Sequence, residues 1–181
     1  MPIEKQLVTY NDKLERRSTS LVDMVVIHCT ELPDEAMCRR YADKILYESG
    51  TGNCGHYYIF RDGRCVQYAT VDRVAHHVMG HNKRSVGIEL ANRGRFPHWF
   101  HAACQEMKEG YTEQQYKALL GLLRALKQQL PALRKLVGHS DLDERWVPAE
   151  DDPEKRVRRK VDPGPQFDWS RVRRYWEVLS H

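Results

Sequence analysis

Two histidines and one aspartate lie at the ends of separate apolar segments. His28 follows the run MVVI, His139 follows LVG, and Asp162 precedes the sequence Pro-Gly-Pro. Two imidazoles and one carboxylate can bind catalytic zinc, because three protein ligands leave the fourth coordination position to water. Bound zinc lowers the pKa of that water to about 7, which supplies hydroxide at neutral pH. The alternative is a chance grouping, since the chain has nine histidines and these three residues are far apart in sequence.

The sequence around Asp162 is suited to fixing the direction of its carboxylate. Residues 158–169 read RRKVDPGPQFDW. The rings of Pro163 and Pro165 set φ to about −65°, and the residue before a proline is restricted to extended backbone. We therefore expect Asp162 to be held rigidly, with the Lys160 ammonium nearby. The alternative is a charged surface turn that precedes the last helix.

Glu89 and Lys160 are two further candidates for chemistry. Glu89 lies in the middle of the strand-like sequence SVGIEL, where a carboxylate is costly to bury unless it is paired or used. Lys160 places a cation two residues from Asp162, where it could stabilise a developing oxyanion. The alternatives are a sheet face open to solvent for Glu89, and one more basic residue in a basic run for Lys160.

The composition is typical of one globular domain. Hydrophobic residues make up 41% of the 181 residues and charged residues 30%, which excludes a disordered chain. No apolar run approaches the roughly 18 residues that span a bilayer, so we expect no membrane insertion. The first 20 residues lack the apolar core of a signal peptide, and the five cysteines are scattered. Both features favour a cytoplasmic, reducing location.

The net charge of +4 is a mild basic excess. Much of it lies in the sequences KRVRRK at 155–160 and RVRR at 171–174. Such runs attract nucleic acid, an anionic wall polymer or an anionic lipid surface. No nucleic-acid-binding motif accompanies them. We therefore expect no nucleic-acid partner, and we expect a monomer.

Strand and helix patterns alternate along the chain and predict an α/β fold, with a central sheet flanked by helices. Apolar runs predict strands at 21–30 and 84–92, a short strand that runs into a loop at 136–141, and a hairpin at 55–70 around Asp62-Gly63. Apolar residues spaced three and four apart predict helices at 34–49, 111–131 and 168–179. Thr112 and Gln115 match a capping box at the start of the second helix.

Two segments fit neither pattern. Residues 93–110 are aromatic and irregular, and we predict a loop that shapes a cleft. Residues 143–157 are charged and contain prolines, and we predict an exposed loop insertion. We divide the chain into an N-terminal extension, 1–20, and a single domain, 21–181.

Five sequence blocks carry a family resemblance. In chain order they are VVIHCT, GHYYIFRDG, HHVMGHNKRSVGIEL, GHSD and RKVDPGPQFDW. Together they resemble the zinc-dependent N-acetylmuramoyl-L-alanine amidases, which include cytosolic anhydro-muropeptide amidases, the T7-type phage lysozyme and the peptidoglycan-recognition proteins. The resemblance runs from about residue 21 to 172. It implies a mixed sheet of five or six strands with helices on its faces.

The resemblance also implies roles and a substrate. It implies Zn²⁺ as cofactor and hydrolysis of the amide between N-acetylmuramic acid, or its anhydro form, and L-alanine in peptidoglycan fragments or the sacculus. The resemblance implies zinc ligands at His28, His139 and Asp162. It implies action on the attacking water at Glu89 and stabilisation of the tetrahedral intermediate at Lys160. It also implies substrate binding at His77 and Asn82.

Several positions depart from the family pattern. The stretch between His139 and Lys160 is longer than usual, and His76 and Val161 replace residues typical of the family. Gly55 stands where the phage lysozyme has a catalytic tyrosine, which gives Glu89 more weight as the base. The alternative function is a non-catalytic module that binds muropeptide. Recycling of imported fragments and lysis of intact wall both stay open.

Overall fold

The computed structural model describes residues 2–179. Within them the chain forms eight strands and four α-helices. The strands are β1 (Ile3–Lys5), β2 (Met24–Cys29), β3 (Tyr57–Ile59), β4 (Cys65–Gln67), β5 (Ser85–Leu90), β6 (Lys135–Gly138), β7 (Trp146–Pro148) and β8 (Arg156–Arg158). The helices are α1 (Glu35–Ala42), α2 (Glu113–Gln129), α3 (His139–Leu142) and α4 (Trp169–Val178).

The central sheet has six strands in the order β1-β4-β3-β5-β2-β6. All neighbours are parallel except β3 and β4, which form the predicted antiparallel hairpin. The predicted α/β class and the predicted strand number are therefore confirmed. Parallel strands end at the same edge of a sheet, so the C-terminal ends of β2, β5 and β6 lie side by side, which is where open α/β sheets bind ligands.

The two faces of the sheet have different roles. Side chains alternate along a strand, so Val25 and Ile27 of β2 point to one face and Val26 and His28 to the other. The first face packs against α2 and α4 in the larger apolar core, which includes Leu119. That face is closed by packing. The face that carries His28 is therefore the one left to form a cleft.

The first 20 residues contribute to the same sheet. β1 pairs with β4 as an edge strand. Val8, Tyr10 and Leu14 are buried in a second apolar cluster. The sequence analysis predicted no strand here, because three residues are too short for a recognisable pattern.

The helix predicted at 34–49 is shorter than predicted. Asp34 caps α1 by accepting a hydrogen bond from the backbone N–H of Met37 at 2.8 Å, and α1 ends at Ala42. Beyond it, the backbone N–H groups of Leu46 and Tyr47 donate to the Thr51 carbonyl at 2.9 and 3.0 Å instead of to helical carbonyls. The apolar residues that extended the predicted helix are instead exposed in this turn.

The segment 143–157 is not an irregular loop throughout. β7 pairs with β8 in a separate two-stranded antiparallel sheet. The Glu150 N–H donates to the Phe100 carbonyl at 2.9 Å, and the Asp151 carboxylate accepts from the backbone N–H of Ala102 and Ala103. The two segments that fitted no pattern therefore pack on each other.

The sequence analysis predicted α2 and α4 but placed a loop where the structure has α3, because a four-residue helix is too short to show helical periodicity. α2 has the predicted capping box of Thr112 and Gln115. The Asp168 side chain caps α4 by accepting from the Arg171 N–H at 3.0 Å. Across residues 2–179, the structure contains no helix with the length and apolar character that a membrane crossing requires.

Candidate active site

His28, His139 and Asp162 meet at the C-terminal edge of the sheet. His28 is the penultimate residue of β2, and His139 follows directly after β6. Asp162 lies in the turn that follows β8. The Oδ2 atom of Asp162 is 2.9 Å from Nδ1 of His28 and 3.1 Å from Nδ1 of His139. All three side chains are buried, and their ligand atoms lie within 4.8 Å of one another.

The Pro-Gly-Pro turn is fixed from two sides. The Asp162 carbonyl accepts a hydrogen bond from the Ser140 N–H at 3.0 Å, and the Pro163 carbonyl accepts from the Tyr111 hydroxyl at 2.7 Å. Gly164 has φ of +87°, and a Cβ there would lie 2.7 Å from Cε of Met107. Only glycine fits at this position without strain. The turn holds the Asp162 carboxylate in one direction.

A chain of hydrogen bonds fixes the tautomer of His28. The Ser85 hydroxyl donates to the His81 carbonyl at 2.8 Å, so its oxygen accepts from Nε2–H of His77 at 3.1 Å. Burial lowers the pKa of His77 well below its usual value, so the ring is neutral and its Nδ1 carries no proton. That Nδ1 accepts from Nε2–H of His28 at 3.0 Å.

The unprotonated Nδ1 of His28 therefore faces the Asp162 carboxylate. Burial also lowers the pKa of His28 to about 4, so this ring is neutral as well. A nitrogen lone pair 2.9 Å from a carboxylate oxygen is repulsive unless a cation lies between them. The other carboxylate oxygen, Oδ1 of Asp162, is buried and has no hydrogen-bond partner among the described residues. Both observations fit a bound metal ion, and the donor set of two imidazoles and one carboxylate is that of catalytic zinc.

Glu89 lies beside the metal-ligand set. Its Oε1 atom is 4.0 Å from Nδ1 of His28. Burial raises the pKa of Glu89 well above its usual value, the Asp162 carboxylate raises it further, and the Lys160 ammonium opposes both. A Cβ on Gly55 would lie 2.8 Å from Cγ of Glu89, so the glycine leaves room for this side chain. Glu89 is not on a solvent-facing sheet surface, which was the alternative for this residue.

Lys160 reaches the same site from the chain segment between β8 and Asp162. It lines the cavity of about 450 Å³ that also contains the three candidate ligands and Glu89. Its ammonium group has no hydrogen bond or ion pair within residues 2–179. A partly buried ammonium that makes no hydrogen bond or ion pair to the described residues is available to a ligand.

The cleft continues into a second cavity of about 380 Å³. The two cavities share Glu89 and Lys160, whereas His28, His139 and Asp162 line the first cavity. The second cavity is more apolar, and Tyr41 and Trp99 are part of its wall. The segment 93–110 therefore shapes the cleft, as the sequence analysis predicted.

His77 and Asn82 also line the first cavity. Both ring nitrogens of His77 are engaged with the protein, through His28 and Ser85. The Asn82 side-chain oxygen accepts from the backbone N–H of His77 and Val78 at 3.0 and 2.7 Å. The structure brings both residues to the cleft and gives each a structural contact. Their substrate-binding role stays a prediction.

Some residues that organise the site were not identified from the sequence. The half-buried Arg17 guanidinium donates to the carbonyls of Asn82 and Ser85, both at 2.7 Å. It thus holds the turn that carries the Asn82 side chain and the Ser85 hydroxyl. No sequence signal distinguishes Arg17 from its neighbour Arg16 in a polar N-terminal segment.

The family model described as N-acetylmuramoyl-L-alanine amidase matches residues 17–165 of the chain. The 1,6-anhydro-N-acetylmuramyl-L-alanine amidase AmpD of Escherichia coli (strain K12) is 35% identical over 65% of the chain and 55% of the relative. AmpD of Enterobacter cloacae is 35% identical over 62% of the chain and 51% of the relative. The chain thus spans about half the length of these curated relatives.

Solved structures show the same fold. The N-acetylmuramoyl-L-alanine amidase LysC from Clostridium intestinale URNW superposes with a TM-score of 0.69 at 19% identity, covering 98% of each chain. AmpDh3 from Pseudomonas aeruginosa, solved with an anhydromuramic pentapeptide, has a TM-score of 0.66 at 22% identity, covering 93% of this chain and 65% of that one. At these identities the likeness concerns the fold.

Proposed function

Because the chain belongs to the N-acetylmuramoyl-L-alanine amidase family, we propose that it is a zinc-dependent amidase. It cleaves the amide between N-acetylmuramic acid, or its anhydro form, and L-alanine in peptidoglycan fragments. One observation carries the proposal: the His28, His139 and Asp162 set opens into a single cleft with Glu89 and Lys160.

The metal and the protein have separate tasks in this reaction. His28, His139 and Asp162 hold the zinc ion. When bound, zinc polarises the scissile carbonyl and makes water a better nucleophile at neutral pH. The ligands come from rigid strand ends and an anchored turn, so their geometry is set before substrate arrives.

Glu89 is the proton carrier. Its carboxylate accepts a proton from the attacking water as the water oxygen bonds to the amide carbon. The same group then delivers that proton to the alanine nitrogen as the carbon–nitrogen bond breaks. The products are a lactyl carboxylic acid and the free amine of the stem peptide, so atoms and protons balance.

Lys160 stabilises charge on the carbonyl oxygen. Negative charge builds on that oxygen when water adds, and an ammonium group held nearby stabilises it in a site of low dielectric. The free ammonium of Lys160 suits this task. Asn82, with a side-chain nitrogen that makes no hydrogen bond to the described residues, is suited to bind a polar group of the substrate.

The substrate class is supported by likeness to proteins of known ligands. The AmiD structure from E. coli was solved with anhydro-N-acetylmuramic acid-L-Ala-D-γ-Glu-L-Lys, and the AmpDh3 structure with an anhydromuramic pentapeptide. We propose the same class of fragment for this chain. The cytoplasmic location and the monomeric state stay predictions.

The experiment compares cleavage with and without metal. The purified protein is incubated with soluble anhydro-muropeptide and, separately, with intact sacculi, and released stem peptide is measured by mass spectrometry. We expect release that stops with chelator and returns with added zinc. A zinc-loaded protein that binds muropeptide but releases no peptide would instead support the non-catalytic module.

A further inference from the structure

A buried ion pair lies at the edge of the cleft. Nε and Nη2 of Arg95 donate to the two carboxylate oxygens of Glu31 at 2.7 and 2.9 Å, and the Arg95 backbone N–H donates to Oε1 at 3.1 Å. The Arg95 side chain is 1% exposed and the Glu31 side chain 7%. A buried pair of this kind costs desolvation free energy and is weak evidence for stability alone. The contacts that Arg95 makes with other segments of the chain therefore indicate what role the pair has besides stability.

The backbone has positive φ angles at Glu31 and at Gly94, the residue before Arg95. Glu31 has φ of +50°, which is unusual for a residue with a side chain. Gly94 has φ of +52°, and a Cβ there would lie 2.6 Å from Cγ of Glu31. Such conformations persist where the surroundings hold them, and they cluster at functional sites. Glu31 is also three residues after the candidate ligand His28.

Arg95 extends from this pair to the segment that carries Lys160. Nη1 of Arg95 donates to the Arg158 carbonyl at 3.0 Å, and Nη2 lies 3.4 Å from the Arg159 carbonyl. These are the two carbonyls directly before Lys160. Arg95 thus joins the end of β2, through Glu31, to the backbone that positions the ammonium group.

No hydrogen bond from its own ammonium group to residues 2–179 fixes the Lys160 side chain. Its ammonium makes no hydrogen bond or ion pair to the described part of the chain, as noted above. Its place in the cleft therefore depends on its own backbone. On one side that backbone is tied by the Ser140 N–H, which donates to the Asp162 carbonyl at 3.0 Å, and on the other by Arg95 and by the Arg159 N–H, which donates to the Arg145 carbonyl at 2.9 Å.

We propose that Arg95, held by Glu31, is a positioning residue for Lys160. The two arginine–carbonyl contacts set the distance between the ammonium group and the metal-ligand set. The pair acts on the reaction only through Lys160. This inference rests on the proposed role of Lys160 in amide hydrolysis.

The test removes the pair without leaving a buried charge unpaired. The double variant Glu31→Gln with Arg95→Met is made in the wild-type background and in the Lys160→Ala background. We expect Lys160→Ala to lower kcat by about 10²- to 10³-fold, as for loss of an oxyanion donor. The pair variant should lower kcat at least about 10-fold in the wild-type background and less than about twofold when Lys160 is absent.

A matched control removes an ion pair elsewhere on the sheet. Arg84 and Asp23 form a partly buried pair before β5 and β2, and the variant Arg84→Met with Asp23→Asn should change kcat by the same factor in both backgrounds. Equal losses for the Glu31–Arg95 variant in both backgrounds would overturn the proposal. Zinc content should be the same in all variants.

A second measurement does not depend on activity. Crystal structures of the wild-type protein and of the Glu31→Gln, Arg95→Met variant give the distance from Nζ of Lys160 to the Asp162 carboxylate. We expect Lys160 to be displaced in the variant while Asp162 stays in place. An unmoved Lys160 would contradict the inference even if the protein cleaved no muropeptide, and that loss of cleavage would separately contradict the proposed function.

Discussion

His28 and Glu89 are direct register partners on the parallel strands β2 and β5. A candidate metal ligand and a candidate base are therefore held by the same ladder of backbone hydrogen bonds. The 4.0 Å between Nδ1 of His28 and Oε1 of Glu89 is set by strand pairing and not by a flexible loop. Sites built on strands hold their geometry more accurately than sites on loops.

Replacing Glu89 tests its role as proton carrier. Glu89→Gln keeps the shape of the side chain but cannot accept a proton, so we expect kcat to fall by about 10²- to 10⁴-fold. Zinc content, measured by elemental analysis, should not change. Glu106→Gln, at an exposed carboxylate, serves as the control and should leave kcat unaltered. An active Glu89→Gln enzyme would rule out this role.

Replacing His77 separates positioning of His28 from substrate binding. In His77→Phe the ring shape is kept but His28 loses its hydrogen-bond acceptor, and such a loss typically weakens metal affinity by about 10- to 100-fold. Competition with a chromogenic chelator measures the affinity. His76→Phe changes a neighbouring histidine that is not hydrogen-bonded to His28 and should keep the wild-type affinity. If His77→Phe raises only KM, then His77 serves the substrate alone.

Asp143 should make the stability of the 143–159 region depend on pH. Its carboxylate accepts two hydrogen bonds at 2.8 Å from Arg145 and is also paired with Arg159. The Arg145 hydrogen bonds, outweighing partial burial, hold the pKa of Asp143 well below its usual value. A lowered folded-state pKa stabilises the protein above the unfolded pKa of about 3.9, and this contribution is lost as pH falls below it.

We therefore expect Asp143→Asn to lower the free energy of unfolding by about 1 to 3 kcal/mol at pH 7. The difference from wild type should shrink as pH falls below about 4. Urea unfolding at several pH values measures it. Asp152→Asn, which removes a carboxylate paired with exposed Lys155, is the control and should stay close to wild type. A difference that is constant with pH would exclude this explanation.

The sequence was sufficient for the parts of the site that lie on regular elements. His28 ends the continuous apolar run MVVI and Glu89 lies within the strand-like sequence SVGIEL, and these runs predicted both strands. Asp162 was marked by the Pro-Gly-Pro turn. Residue types alone left the zinc site as one of two alternatives, and the ordered family blocks were needed to choose between them.

The rest depends on contacts between segments that are far apart in sequence. The Glu31–Arg95 pair joins residues 64 positions apart, and nothing in either local sequence predicts it. Arg17 bonds to a turn 65 positions away. The helix predicted at 34–49 ended early for a local reason, because the Thr51 carbonyl accepts from the N–H groups of Leu46 and Tyr47, which periodicity had assigned to the helix.

Anomalous diffraction at the zinc edge tests the central claim most directly. Crystals of the wild-type protein equilibrated with zinc should show one strong peak within about 2.0 to 2.2 Å of Nδ1 of His28, Nδ1 of His139 and a carboxylate oxygen of Asp162. Crystals of Asp162→Asn, treated in the same way, should show a much weaker peak. No peak at this position in the wild-type protein, or a peak bound by other residues, would contradict the account.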